Sequence, residues 1–260
     1  MQMTLNIGTV PYCNAFPLVH YLSECLPGAV ITEWTPSAMR QQLAEQKLDL
    51  AMMPVVELMA LPKSKIVSNC CIACNGEIRS VLLFSRKPLE QIRTIALDTA
   101  SRSSVMTCEL IFHHFYGIQP EKHRLETNQN PNDCQTDAFL VIGDRALACQ
   151  PSDGWAYRYD IGELWKSTSG LPLVFAAWIG CSPLVEEPAI ALALQASRDR
   201  GLQNLEAILD TKERHGIALP LGRDLILDYY RQAVVYTLGE PERAGLQYFF
   251  DLARRKNGDE

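Results

Sequence analysis

Residues 95–110 read IALDTASRSSVMTCEL and combine a buried strand, a polar loop and a helix in one short segment. Ile95–Leu97 is apolar enough for a strand that is covered on both faces. Asp98–Ser104 then supplies hydroxyl groups and one arginine, and Ser103 or Ser104 suits the N-cap of the helix that follows. A helix start presents backbone N–H groups and the positive end of its dipole to an anion. The segment therefore predicts a carboxylate or phosphate site, the alternative being an ordinary capped helix.

Size and charge narrow the classes of function. The 260 residues are 47% hydrophobic, enough for one large core or two of roughly 100–150 residues each. The net charge of −6 argues against general binding to nucleic acid or to an anionic membrane. The opening MQMTLNIGTV lacks the basic residues and cleavage site of a secretory signal, and no apolar run reaches the length of a membrane helix. We expect a cytoplasmic protein whose partner is a small molecule.

The nine cysteines predict reduced thiols rather than a disulfide framework, because their number is odd and an export signal is missing. Cys71 and Cys74 form a CxxC pair without a second pair or a nearby histidine, so we expect core residues and no metal site. The five histidines show no metal-binding spacing, and no glycine-rich nucleotide motif is present. Cys13 lies in a polar loop, but no histidine partner for a nucleophile can be identified. We expect no cofactor.

Alternation of strands and helices predicts an α/β fold with parallel strands in the first half of the chain. Residues 36–46 favour a helix with Ser37 as its cap. The C-terminal part favours helices over residues 184–201, 202–215, 222–236 and 240–255, with Gly201 and Gly239 as stops. We expect two α/β lobes, one made of residues 1–86 and 176–260 and the other of residues 87–175. Strands 79–85 and 171–178 would cross between them as a hinge, and a ligand would bind where loops of both lobes converge.

Four loop segments at predicted strand ends carry the candidate site residues. They supply hydroxyls, an amide and guanidinium groups, which bind carboxylates well and are poor general bases. The lone carboxylate among them is more typical of a structural ion pair or a helix cap than of a catalytic base. The candidates are Tyr12, Asn14, Arg79, Ser80, Ser101, Arg102, Ser103, Ser104, Asp144 and Arg145.

Seven segments in this order resemble the chorismate dehydratases of the futalosine route to menaquinone: TVPYCNAFPL, DLAMMPVVEL, RSVLLFSR, LDTASRSSV, VIGDRAL, YDIGELW and TSGLPLVFAAW. The resemblance spans about residues 5–180. It implies a type II periplasmic-binding-protein-like fold used in the cytosol as a lyase. The implied reaction converts chorismate to 3-(1-carboxyvinyloxy)benzoate and water without metal or organic cofactor. Cys13 stands where this family usually has leucine, which argues against a catalytic thiol, and Ser103 stands where threonine is common.

Chorismate carries two carboxylates, so the implied reaction requires two anion sites. The residues offer the Ser101–Ser104 helix start as one, and Arg79–Ser80 or the first loop as the other. Because the loops lack a strong base, our hypothesis is that the substrate's enolpyruvyl carboxylate takes the C3 proton while Asn14 or a serine hydroxyl assists the departing hydroxyl. Two alternatives remain open: the 1,4-dihydroxy-6-naphthoate synthase of the same pathway, whose first loop typically resembles SPCPND, and a non-catalytic solute-binding protein for a small carboxylate.

Overall fold

The computed structural model describes residues 4–98, 102–126 and 128–258. Its strands are β1 Asn6–Thr9, β2 Val30–Glu33, β3 Leu50–Pro54, β4 Lys65–Cys74, β5 Val81–Ser85, β6 Thr94–Asp98, β7 Glu121–Leu125, β8 Ala138–Ile142, β9 Tyr157–Asp160, β10 Leu173–Gly180 and β11 Val235–Thr237. Its α-helices are α1 Phe16–Val19, α2 Leu22–Cys25, α3 Pro36–Ala44, α4 Glu57–Ala60, α5 Arg102–Leu110, α6 Gly143–Ala148, α7 Ile161–Ser169, α8 Pro188–Gln203, α9 Leu205–Arg214, α10 Arg223–Asp228 and α11 Glu240–Asn257. Within those described ranges no helix is long and apolar enough to cross a membrane.

The first compact unit comprises residues 1–73 and 174–239 and contains a six-stranded mixed sheet. The strand order is β11-β4-β10-β3-β1-β2. β1 pairs in parallel with β2 and β3, as the strand and helix alternation predicts. β10 and β11 run antiparallel to β3 and β4 respectively. Every residue of β3 is buried, as expected for a strand in the interior of the sheet. Because β1 and β3 are parallel, their carboxyl ends lie at the same edge of the sheet.

The second unit comprises residues 74–173 and 240–260 and contains a five-stranded sheet in the order β7-β6-β8-β5-β9. β6 is parallel to β7 and β8, whereas β5 is antiparallel to β8 and β9. Phe84, Phe139 and Trp155 pack in its apolar core, with the Phe139 and Trp155 rings edge to face at 4.5 Å. The carboxyl ends of β6, β8 and β9 and the start of β5 therefore lie at one edge.

The two units differ from the expected lobes at their boundaries. Residues 74–86 belong to the second unit, because β5 pairs along its length with β8 and β9. The C-terminal helix α11 also belongs there, since Trp165 of α7 packs against Tyr248 and Phe249 and Lys256 pairs with Glu109 of α5. The chain passes between units within β4 and β10 and before α11, so the expected crossing strand 79–85 is an internal strand of the second sheet.

Local structure departs from the sequence expectations at three places. The helix expected over residues 222–236 ends in a π-helical turn, Tyr229–Ala233, and is followed by β11, because the last residues pair with β4. Thr35 rather than Ser37 caps α3, its hydroxyl accepting a hydrogen bond from the backbone N–H of Ala38 at 3.4 Å. Gly201, expected as a helix stop, lies inside α8.

Candidate functional site

The first loop of the first unit follows β1 and carries Tyr12 and Asn14. Cys13–Ala15 forms one turn of 3-10 helix, which leads directly into α1. Tyr12 precedes the turn in an extended conformation, and its carbonyl accepts the N–H of Ala15 at 3.0 Å. Pro17 at the second position of α1 suits the helix start because its ring fixes φ and no N–H is needed there. The loop therefore ends in a fixed turn rather than in an extended segment.

The side-chain oxygen Oδ1 of Asn14 is buried and has no hydrogen-bond partner within residues 4–98, 102–126 and 128–258. More than nine in ten buried polar atoms in native proteins find such a partner. Leaving one without costs roughly 1–3 kcal/mol. The indole Nε1 of Trp178, in β10 of the same unit, shares this property in the part of the chain that the structure describes. Asn14 thus offers an acceptor that its own described neighbours do not use.

The backbone of the first loop is held from the C-terminal part of the first unit. The hydroxyl of Tyr230 donates to the carbonyl of Cys13 at 2.9 Å, and that of Tyr236 donates to the carbonyl of Asn14 at 3.0 Å. Ser197 in α8 donates to the carbonyl of Leu18 at 2.8 Å. These contacts assign the C-terminal segment a part in shaping the candidate site.

Gly201 lets α8 lie directly against α1. A Cβ atom at this position would stand 1.9 Å from the carbonyl oxygen of Pro17. The sequence expectation of a helix stop at Gly201 is wrong, because the residue serves close packing within the helix rather than its termination. The position therefore requires glycine for space rather than for backbone conformation.

Ser80 and Gly143 meet at the strand edge of the second unit. Ser80 is buried immediately before β5, and its carbonyl accepts the N–H of Gly143 at 2.7 Å. Gly143 has a φ of +60°, a left-handed conformation that glycine adopts without strain, and it begins α6 at the end of β8. This turn places Asp144 in the first turn of α6, where its charge is favourable to the helix dipole.

Arg79 is held in a left-handed conformation by the carboxylate of Asp160. Its φ is +65°, which is uncommon for a residue with a side chain. This conformation costs free energy and persists only where surrounding contacts compensate for that cost. Asp160 accepts the backbone N–H of Arg79 at 2.6 Å and that of Ile78 at 3.0 Å. The same carboxylate caps α7 by accepting the N–H groups of Gly162 and Glu163. The Arg79 side chain turns to Glu77, with Nε donating at 3.0 Å.

Burial of the Asp160 carboxyl raises its pKa, and the backbone hydrogen bonds from Ile78, Arg79 and Glu163 oppose that rise. The group is 3% exposed. The carboxyl group accepts four backbone N–H groups, two from the segment before Ser80 and two from the start of α7. It is therefore better suited to structural support than to proton transfer.

The guanidinium of Arg145 contacts groups of its own unit. Nη1 lies 3.4 Å from Oδ2 of Asp98, which is 2% exposed, and 3.1 Å from the carbonyl oxygen of Glu126. Nη2 donates to the carbonyl oxygen of Gln129. These contacts fasten the loop after β7 to the end of β6. Arg145 as a substrate ligand stays a prediction, whereas its role in holding this loop is visible.

Three of the four residues predicted for the anion site at the Ser101–Ser104 helix start lie in the described part of α5. Arg102 is exposed at its first described turn, and Ser103 and Ser104 are buried at 0% and 2% exposure. Ser103 and Ser104 are inside the helix, so the expectation that one of them is the N-cap is wrong: the helical turn begins before them. Ser101 lies outside the described residues. The serines nonetheless stand in the first described turn after β6, at the edge that also holds Ser80 and Gly143.

All nine cysteines are free, and six of them are buried. Burial raises the pKa of Cys74 to about 12, so that its thiol stays protonated. A search of the described ranges finds no group of three or more His, Cys, Asp or Glu side chains placed to bind a metal ion.

Comparison with known proteins identifies the family. A family model described as menaquinone biosynthesis matches residues 5–255. The chain belongs to this family. A chorismate dehydratase of Thermus thermophilus is 27% identical over 259 residues, which cover 94% of this chain and 93% of the relative.

Solved structures place the fold. A protein of Archaeoglobus fulgidus superimposes with a TM-score of 0.77 at 12% identity, over 98% of each chain. The alkanesulfonate-binding protein of Xanthomonas axonopodis gives a TM-score of 0.68 at 15% identity, over 98% of this chain and 93% of that one. A Candida albicans protein described as having the generic periplasmic binding protein fold gives 0.55 at 11% identity, over 99% and 95%. The fold is periplasmic-binding-protein-like, as the resemblance implies.

Sequence reasoning missed the groups that support the site. Asp160 carried a signal, because an aspartate followed three residues later by Glu163 is typical of a helix N-terminus. Tyr230 and Tyr236 carried none, since helical periodicity alone does not indicate which distant carbonyl a tyrosine hydroxyl reaches. The loop motifs of this chain alone therefore do not reveal the groups that hold the loops in place.

Proposed function

We propose that this chain is a chorismate dehydratase, a carbon–oxygen lyase that converts chorismate to 3-(1-carboxyvinyloxy)benzoate and water. Membership of the menaquinone biosynthesis family and the relative of that name support the proposal. The observation that carries it at the level of chemistry is the buried Oδ1 of Asn14, which has no partner in the described part of the chain. Such an acceptor suits a substrate hydroxyl, the group that a dehydration must orient and remove.

In the proposed reaction the C3 proton passes to the enolpyruvyl carboxylate of the substrate. The C3 electrons form the new ring double bond as the C4–O bond breaks, and the proton ends on the departing hydroxyl, giving water. No oxidant or reductant is needed, because the ring becomes aromatic by elimination alone. Asn14 accepts a hydrogen bond from the C4 hydroxyl through Oδ1 and so orients the C4–O bond that breaks.

Two buried acids of the second unit, Asp98 and Asp160, already have partners, which favours a base that the substrate brings with it. The Asp98 carboxylate is paired with Arg145, and that of Asp160 accepts four backbone N–H groups. Removing either from its partners would cost the free energy of leaving buried groups unsatisfied. We assign Ser80 and the first described turn of α5 to one substrate carboxylate, where buried hydroxyls and helix N–H groups favour an anion.

The direct test is to mix the purified chain with chorismate and follow ultraviolet absorbance and mass. An aromatic enol ether whose mass is lower than that of chorismate by one water should form without added cofactor. A chorismate-dependent rise in melting temperature without turnover would instead indicate a binding protein. The naphthoate synthase alternative predicts that chorismate is left unchanged.

Asn14→Ala should lower kcat by about 10²-fold or more while the melting temperature is retained, because the acceptor is lost and a buried unsatisfied atom is removed with it. Asn75→Ala is the matched control, since Asn75 is an exposed asparagine in the second unit. Equal kcat values for the wild type and Asn14→Ala would rule out the assigned role. Loss of turnover in Asp144→Asn with unchanged affinity would count against a substrate-borne base.

A further inference from the structure

Two buried tyrosines from the C-terminal part of the first unit reach consecutive peptide groups of the first loop. Tyr230 lies in the π-helical turn Tyr229–Ala233 and is 2% exposed, and Tyr236 lies in β11 and is 4% exposed. Their hydroxyls donate to the carbonyls of Cys13 at 2.9 Å and Asn14 at 3.0 Å. Neighbouring carbonyls bound from fixed rings define two successive peptide planes, and so the direction of the Asn14 side chain.

We propose that Tyr230 and Tyr236 are positioning residues, whose hydroxyls hold the turn Cys13–Ala15 so that Asn14 keeps its buried amide in the orientation used for the reaction. This inference rests on the proposed function. The turn has three residues, too few to be stable by its own hydrogen bonds. It also contains a buried acceptor that a freely moving loop would turn towards water. The two tyrosines supply the restraint that the turn lacks.

The strand β11, which carries Tyr236, is attached to the rest of the sheet. β11 pairs with β4 through Val235 and Thr237, and the N–H of Leu238 donates to the carbonyl of Asn69 at 2.8 Å. Arg198 of α8 donates to the same Asn69 from Nη1, 3.0 Å from the side-chain oxygen. Tyr236 therefore stands on a strand fixed at both ends, and a movement of the first loop relative to the sheet would break its hydrogen bond.

The hydroxyl of Tyr236 is protonated at neutral pH and can therefore donate. Burial raises the pKa of Tyr236 well above its ordinary value, and the neighbouring Tyr229 and Tyr230 act in the same direction. A neutral donor suits this place, because a charged one would bring its own field to the reacting groups. The restraint is thus geometric.

The test compares Tyr236→Phe, Tyr230→Phe and the double variant with the wild type in chorismate turnover. Phenylalanine keeps the ring packing and removes only the hydroxyl. Each single variant should lower kcat about tenfold and change KM by less than about twofold, because a displaced catalytic group costs rate more than binding. Tyr248→Phe, in α11 of the second unit, is the matched control and should retain the kcat of the wild type.

A double-mutant cycle separates positioning from general stability. If the tyrosines act through Asn14, Tyr236→Phe should have no further effect on kcat in the Asn14→Ala background, whereas loss of stability would multiply the two effects. If Tyr236→Phe turns over chorismate with the kcat of the wild type, the inference is wrong and the proposed function still stands. Multiplicative effects in the cycle also overturn it. A wild type that neither turns over nor binds chorismate removes the proposed function, and this inference falls with it.

Discussion

The two units hold their candidate loops by different chemistry. In the first unit neutral tyrosine hydroxyls bind the backbone carbonyls around Asn14. In the second unit acidic and basic side chains have the equivalent role: Asp160 accepts the N–H groups before Ser80, and Arg145 joins Asp98 to the loop after β7. In this unit Asp160, Asp98 and Arg145 hold loops in place through contacts within the protein. The buried acceptor without a described partner belongs to the neutral loop.

This difference shows why charge is an incomplete guide to a carboxylate site. A guanidinium can serve a substrate only if the fold does not already use it, and Arg145 makes three contacts within its own unit. Buried hydroxyls and helix N–H groups can also bind an anion, although they carry no formal charge. The comparison predicts that charge-removing substitutions in the second unit cost stability first, whereas hydroxyl-removing substitutions in the first cost rate.

The largest stability loss should follow Arg145→Met. Asp98 would remain buried without its guanidinium, and we expect a fall in the free energy of unfolding of about 2–4 kcal/mol, less than for a fully buried pair because Arg145 is partly exposed. Urea unfolding measures the loss, and faster hydrogen exchange near Glu126 and Gln129 should accompany it. Arg243→Met, at an exposed position of α11, is the control. Equal stability of Arg145→Met and the wild type would contradict the supporting role.

A smaller loss is expected from Asp160→Asn, roughly 1–3 kcal/mol, because an amide presents an N–H₂ group where the carboxylate accepts a backbone N–H. The loss should depend on pH. Burial raises the pKa of Asp160, so the folded state takes up a proton before the unfolded state does, and the wild type gains stability as pH falls through that pKa. The variant lacks this gain, and the gap in urea midpoints should widen in acid.

Asp153→Asn controls for the change of charge, since Asp153 is exposed. A gap between Asp160→Asn and the wild type that narrows in acid would show that the hydrogen bonds outweigh burial at this carboxyl. If Asp160→Asn were as stable as the wild type but did not turn over chorismate, Asp160 would belong to the reaction rather than to the support of the loop before Ser80.

Much of this fold could be predicted from sequence, for identifiable reasons. Apolar runs predicted strands where the structure has β5, β6 and β10, and helical periodicity located α8 and α11. β11 escaped prediction because Val235–Thr237 continues an apolar helical pattern, and only pairing with β4 makes it a strand. The place of α11 in the second unit escaped for the same reason: its apolar face packs on α7, a contact set by the tertiary fold.

The candidate site was predicted less completely than the fold. Its loops could be located because polar residues lie at the ends of predicted strands, as Asn14, Ser80 and Asp144 do. Their supports could not, because the distances from Tyr236 to Asn14 and from Asp160 to Arg79 in sequence are long. Sequence patterns report neighbours along one element, whereas these hydrogen bonds depend on how elements pack.

The smallest expected effect compares the two units through one partly buried imidazole in each. Burial lowers the pKa of His20 in the first unit, with Lys212 and Arg200 acting in the same direction and Glu24 opposing them. Burial also lowers the pKa of His114 in the second unit, with His113, Arg255 and Lys256 acting in the same direction and a hydrogen bond to the carbonyl of Leu252 opposing them. In both cases the unfolded state binds a proton at a pH where the folded state does not, so stability falls as pH drops through 6.5. Glutamine substitutions should flatten this slope in urea titrations between pH 7.5 and about 5.5, the window in which unshifted histidine titrates. His20→Gln and His114→Gln should therefore each give a flatter slope than the wild type. A variant whose slope equals that of the wild type would contradict the lowered pKa of the histidine it replaces.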